Sequence, residues 1–173
     1  MKIIIAPDKY KGNMTSPELC EIIRAEFLAE MPEAEIISIP LADGGDGTTE
    51  ALTAAHHGEL RKVTVTGPLG SPVDAILGVY DSGRAAVMEM ASASGLALLK
   101  KDELDPLRAD TFGTGELIRA ALDGGAESIT IGIGGSATTD GGTGMARALG
   151  YRFLDADGKE LQPGPEQIGR AHV

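Results

Sequence analysis

Apolar residues come in short blocks separated by glycine, proline and acidic loops, and the spacing within each block predicts its element. Three successive isoleucines make residues 2–6 a buried strand. Thr15, Ser16, Pro17 and Glu18 read as a helix start, with a hydroxyl cap, a proline in the first turn and an acid beside it. Leu19, Ile22, Ile23 and Phe27 continue that helix on one face, and Pro32 ends it. A strand over 35–39 and a helix over 48–57 follow. Val63 and Val65 share a face of a strand over 60–66, and a turn over 67–72 leads to strands over 73–80 and 85–90. The small apolar residues 91–99 predict a short helix, and residues 111–115 open another that runs to about Leu122. A strand over 127–133, a helix over 145–149, a last strand over 151–154 and a turn over 155–158 complete the pattern. Strands alternate with helices at both ends around a strand-rich middle. That order predicts an α/β fold with mostly parallel sheets and two interleaved domains.

Composition narrows the picture. Apolar residues make up 42% of 173, but aromatics only 3% with no tryptophan, so the core has to be aliphatic. The net charge of −11 disfavours nucleic acid and anionic membranes as partners. An anionic substrate would therefore be held by a few local cations and by backbone donors. Cys20 is the single cysteine, which rules out an intrachain disulfide and fits a packed thiol. The first residues are too short for a signal peptide, and no apolar run reaches the roughly 20 residues of a membrane span, so the expected location is cytoplasmic.

The densest chemistry lies over residues 132–144, GIGGSATTDGGTG, with six glycines in thirteen residues between a predicted strand and a predicted helix. Gly134, Gly135, Gly141 and Gly142 let backbone amides approach an anion, and the helix start adds positive potential. Ser136 and Asp140 add oxygen ligands, which points to phosphate chemistry. Four other loops sit at strand ends or helix starts, where α/β folds gather ligands. In the first, Asp8 suits a base or metal ligand, and Lys9 and Lys11 can neutralise phosphate or carboxylate; the loop also reads as a solvated turn. In the second, Asp43 and Asp46 around paired glycines suit Mg²⁺, or an ordinary Asp-Gly turn. In the third, Glu89 with Ser92 and Ser94 suits a substrate hydroxyl, though such an acid is more often simply hydrogen-bonded at an element boundary. In the fourth, Thr114 stands in open backbone before a helix and suits phosphate, or a plain cap. His56 and His57 end a helix, an ordinary place for such side chains. The segment from Gly132 to Ala137 also fits the loose dinucleotide fingerprint, with Asp155 as a ribose contact, but that fingerprint needs the helix to begin within the glycines. No Walker A sequence and no protein-kinase signature occurs.

Together these loops resemble the bacterial type I glycerate kinase family. The matching segments are IAPDKYKG at 5–12, PLADGGDGT at 40–48, VTGPLG at 65–70, MEMASASGLALL at 88–99, LRADTFGTGELI at 107–118 and GIGGSATTDGGTGMARALG at 132–150. The departures are Lys9 where Ser is common, Asp46 where Glu is common and Thr139 where Asn is common. The resemblance implies ATP-dependent phosphorylation of D-glycerate, at the 2-hydroxyl, with Mg²⁺. It also implies a flavodoxin-like domain interleaved with a second α/β domain and incomplete at the C-terminus. Residues 1–75 would begin the first domain and 76–166 would form part of the flavodoxin-like one. Asp8 and Lys11 are then the expected catalytic residues. Lys9, Glu89, Ser92, Ser94, Thr114, Gly134, Gly135, Ser136, Gly141 and Gly142 are expected to bind substrate and phosphate, and Asp43, Asp46 and Asp140 to hold the metal. The alternatives are a dinucleotide-binding oxidoreductase domain and a non-catalytic nucleotide or organic-acid module. The sequence leaves the oligomeric state open.

Residues 167–173 stand apart. The codons CAG ATC GGA AGA GCA CAC GTC encode QIGRAHV and, followed by TGA, spell the start of a common sequencing adapter. This segment is therefore expected to be a non-native tail on a truncated, inactive chain. Resequencing the locus across it tests that expectation.

Overall fold

The computed structural model describes residues 1–10 and 13–170. The predicted catalytic Lys11 and the last three residues of the expected tail lie outside the described residues. Pro165–Arg170, the segment before them, is a 3₁₀ helix.

Strand β1 (Lys2–Ile5) pairs in parallel with β2 (Glu35–Ser38), with Ile4 opposite Ile37. Helix α1 (Ser16–Glu30) connects them. It starts where the sequence predicts: Thr15 accepts the Glu18 N–H, and the Glu18 carboxylate accepts the Thr15 N–H, a reciprocal capping box. Ile5, Leu19 and Cys20 are buried where α1 meets this strand pair.

Helix α2 (Thr48–Ala55) leads into a four-stranded sheet, β3 (Glu59–Thr66), β4 (Pro72–Tyr80), β5 (Ala85–Glu89) and β6 (Ser128–Gly132), in that spatial order. The turn closed by the Gly67 N–H on the Ser71 carbonyl is too short for a crossover, so β3 and β4 run antiparallel. β4 and β5 are also antiparallel, whereas β5 and β6 pair in parallel. The α/β class stands, with a mixed second sheet. Helices α3 (Met90–Ser94) and α4 (Phe112–Asp123) form the crossover from β5 to β6, and α5 (Thr143–Ala148) follows.

The core is aliphatic, as the composition requires. Leu77, Val79 and Met88 of the sheet pack against Leu117, Ile118 and Ala121 of α4. Helices α4 and α5 meet at Gly115, where a Cβ would run into the Met145 carbonyl. His56 stacks on Tyr80 with ring centroids 4.3 Å apart.

Two predicted elements differ. Residues 91–99 do not form one helix: α3 ends at Ser94, Gly95 is extended and bridges to Ser136, and Leu96–Leu98 make a 3₁₀ turn. Residues 151–154 are not a strand. Leu154 makes an isolated bridge to Glu160 across the predicted turn, and Phe153 lies beside the Arg147 guanidinium, 5.3 Å from its ring centroid. Among the described residues no helix is long and apolar enough to cross a membrane.

Candidate functional site

Four of the loops singled out by the sequence follow the carboxyl ends of β1, β2, β5 and β6, the fifth opens α4 at Thr111, and hydrogen bonds tie them together. The Gly134 N–H donates to the Gly44 carbonyl at 2.9 Å, joining the long glycine loop to the Asp43–Asp46 loop. A Cβ on Gly134 would lie 2.8 Å from the Gly45 Cα, so these two backbones touch because residue 134 is glycine. The glycine loop also pairs with the α3 end: Leu96 N–H donates to Gly135 O, and Ala137 N–H to Ser94 O, both at 2.9 Å. It reaches the α4 start through Asp140 and Thr111.

Lys9 binds the first loop to the second. Its ammonium donates to Asp43 at 2.8 Å and stands 3.9 Å from Asp8. The hydrogen bond to Asp43 raises the Lys9 pKa, and the Asp8 and Asp46 charges add to the rise. Asp43, bonded by Lys9 and then by the Gly45 N–H, is held down to about 2. Asp46 is exposed and stands beside Gly135. Lys9, Asp46 and Glu50 line a cavity of about 520 Å³ with Tyr10, Asn13 and Thr15. The sequence offered no signal for Glu50, Tyr10 or Asn13 beyond their nearness to the motifs.

Several expected ligand contacts turn out to be internal. Glu89 is 6% exposed at the end of β5, and its Oε1 accepts the Thr49 N–H at 2.7 Å in the first turn of α2. Burial raises its pKa, and the Glu50 and Asp46 charges push the same way. Ser92 donates to the Glu89 carbonyl. Ser94 and Thr114 are fully buried and bond each other at 2.9 Å, so neither hydroxyl is presented to a substrate. Ser136 bonds Thr138 at 2.7 Å.

Asp140 is the most enclosed of the three expected metal ligands. It is 1% exposed; its Oδ2 accepts from Thr111 N–H, Thr111 Oγ1 and Gly144 N–H, and its Oδ1 from Gly142 N–H. A carboxylate enclosed in this way is a structural hub and is not open to a metal. It also occupies the start of α5, where the sequence placed an anion. Of the predicted phosphate cradle, the amides of Gly134 and Gly142 are engaged within the protein. Gly141 and Gly142 do adopt the left-handed conformation expected of such a loop, at φ 61° and 80°. Helix α5 begins only at Thr143, well after Gly134 and Gly135 that follow β6, which departs from the dinucleotide fingerprint.

Among the described residues no three acidic, histidine or cysteine side chains gather as a metal site. Mg²⁺ does not require one, because it keeps waters and substrate phosphate oxygens beside one or two carboxylates. The exposed Asp46, with Asp43 nearby, fits that donor set.

A family profile described as the Glycerate kinase family matches residues 3–173. The glycerate kinase of Bacillus subtilis strain 168 is 53% identical over 164 residues, covering 95% of this chain and 43% of the relative. The glycerate 2-kinase of Escherichia coli K12 is 50% identical over 161 residues, covering 93% and 42%. A crystal structure from Salmonella typhimurium LT2 described as a glycerate kinase 2 superposes with a TM-score of 0.88 at 47% identity. It covers all of this chain and 46% of that one. The chain thus spans less than half the length of the curated relatives it matches.

Proposed function

The chain belongs to the glycerate kinase family, and on that premise we propose that it supplies the acceptor-side loops of an ATP-dependent kinase acting on the 2-hydroxyl of D-glycerate. The observation that carries this reading is the gathering of Asp8, Lys9, Asp43 and Asp46 beside the glycine loop, with Lys9 and Asp46 lining a cavity.

Phosphoryl transfer depends chiefly on positioning and on neutralising charge. Asp8 orients or deprotonates the attacking hydroxyl. Lys9 is committed to Asp43 and sets the loop geometry, so direct neutralisation of the carboxylate or γ-phosphate falls to Lys11. The backbone of Gly135, Ser136 and Gly141 meets the phosphates. Asp46, helped by Asp43, would hold Mg²⁺, which would screen the charge on the phosphate oxygens.

Calorimetric titration tests this directly. D-glycerate and ATP with Mg²⁺ are expected to bind the chain, and NAD is not. Binding of NAD with no response to D-glycerate would overturn the reading in favour of a dinucleotide site. Binding without ADP release, even at the relatives' full length, would favour a non-catalytic module.

A further inference from the structure

Helix α2 starts without a cap of its own. Its N-cap is Gly47, left-handed at φ 91°, which has no side chain to accept an amide of the first turn. The acceptor comes from 40 residues away: Glu89 Oε1 takes the Thr49 N–H at 2.7 Å. The Glu89 backbone pairs with Gly132, the last residue of β6. A Cβ on Gly132 would stand 3.4 Å from the Glu89 Cγ and 2.6 Å from the Gly44 carbonyl oxygen. One buried carboxylate thus sits where α2, the Asp43–Asp46 loop and the start of the glycine loop converge. Asp46 precedes the Gly47 N-cap and Glu50 lies in the first turn, and both line the cavity.

We propose that Glu89 is a positioning residue: by capping α2 from the end of β5, it fixes where Asp46 and Glu50 meet the cavity. The inference rests on the reading of Asp46 as a ligand for Mg²⁺ and deepens it. At 6% exposure Glu89 is too enclosed to meet substrate itself, so it acts through the Thr49 N–H. What it supplies is an acceptor oxygen at a fixed reach, not a charge. A partner that orients a metal ligand in this way governs affinity without touching the metal.

The test sets two near-isosteric variants against each other. Glu89→Gln keeps the acceptor oxygen and loses the charge. Glu89→Asp keeps the charge and falls one methylene short of the Thr49 N–H. Each is made in the 173-residue chain and in a chimera where this sequence replaces the matched part of the full-length Bacillus subtilis relative. The readouts are amide hydrogen exchange over the start of α2 without metal, and calorimetric titration with Mn²⁺. Slow exchange at the buried Leu77 and Val79 of β4 reports that each variant is folded. Glu89→Gln is expected to stay within about threefold of the parent in both readouts, because the cap survives. Glu89→Asp is expected to exchange at least about fivefold faster at α2 and to bind Mn²⁺ at least about tenfold more weakly. The reverse order would overturn the proposal, since Glu89 would then act by its charge. Equal impairment of the two variants, or parent-like behaviour of both, would overturn it as well. If Glu89→Asp fails the folding control, Glu89→Gln decides alone, by keeping or losing Mn²⁺ affinity. A parent that binds no Mn²⁺ would strike the metal reading of Asp46, and the exchange order would then decide the role of Glu89. A chimera that shows the expected order yet releases no ADP with D-glycerate would strike the acceptor chemistry and leave that role standing.

Discussion

Asp140 accepts four hydrogen bonds from the start of α4 and of α5 while almost fully buried. Removing it strands those donors. Asp140→Ala is therefore expected to cost about 3 kcal/mol or more, seen in urea unfolding without any added metal. A variant as stable as the parent would show that the carboxylate is held there for another reason. Asp43 makes a different prediction. Its pKa falls from the ordinary 3.8 to about 2 on folding, chiefly through the Lys9 hydrogen bond. A carboxyl with a depressed folded pKa stabilises the fold above the unfolded value and loses that contribution as pH falls through the folded one. Between 3.8 and about 2, Asp43→Asn should thus show a shallower loss of stability than the parent in acid unfolding. Parallel curves for the two proteins would remove the Lys9 contact from the account. At this scale the sequence was half legible. It named the residues that carry charge, but not that Ser94 and Thr114, twenty positions apart, quench each other, or that Thr111 and Asp140, twenty-nine apart, do the same. Local pattern carries no information on such meetings.

Elements were more legible than side-chain roles. The isoleucine run of β1, the capping box of α1 and the valine alternation of β3 are local signals, and each produced the expected element, although β1 is not the buried strand its isoleucines predicted, because Ile4 is exposed. The failures were tertiary. The small apolar run after β5 is interrupted because Gly95 pairs with Ser136 of the glycine loop. The Tyr151–Leu154 stretch alternates like a strand, yet its one strand-like pairing is the Leu154–Glu160 bridge. The apposition of the glycine loop with the Asp43–Asp46 loop is the element-level feature on which the site depends. Gly134→Ala puts a methyl against the Gly45 backbone, where no side chain can swing away. The variant is expected to lose about 1–3 kcal/mol of stability and to weaken D-glycerate binding together with it. Unchanged binding in the folded variant would separate the two loops functionally.

At the scale of the whole molecule, the loops after β1 and β2 line one cavity and the glycine loop packs against the second of them, on a body that matches less than half of each full-length relative. The aliphatic core on α4 gives the second sheet its own interior, while the β1–β2 pair lacks a cover on one face. With the proposed acceptor-side loops in this chain, turnover is expected only when the rest of the family fold is present. The most direct measurement is D-glycerate-dependent ADP release by the full-length chimera, with and without Asp8→Asn, and with the product identified by phosphorus NMR. The account predicts 2-phosphoglycerate from the chimera and a rate at least about a hundredfold lower from Asp8→Asn, the usual contribution of a positioned acid or base. A folded chimera that binds ATP but releases ADP independently of D-glycerate would contradict it, as would one indifferent to the loss of the Asp8 carboxylate.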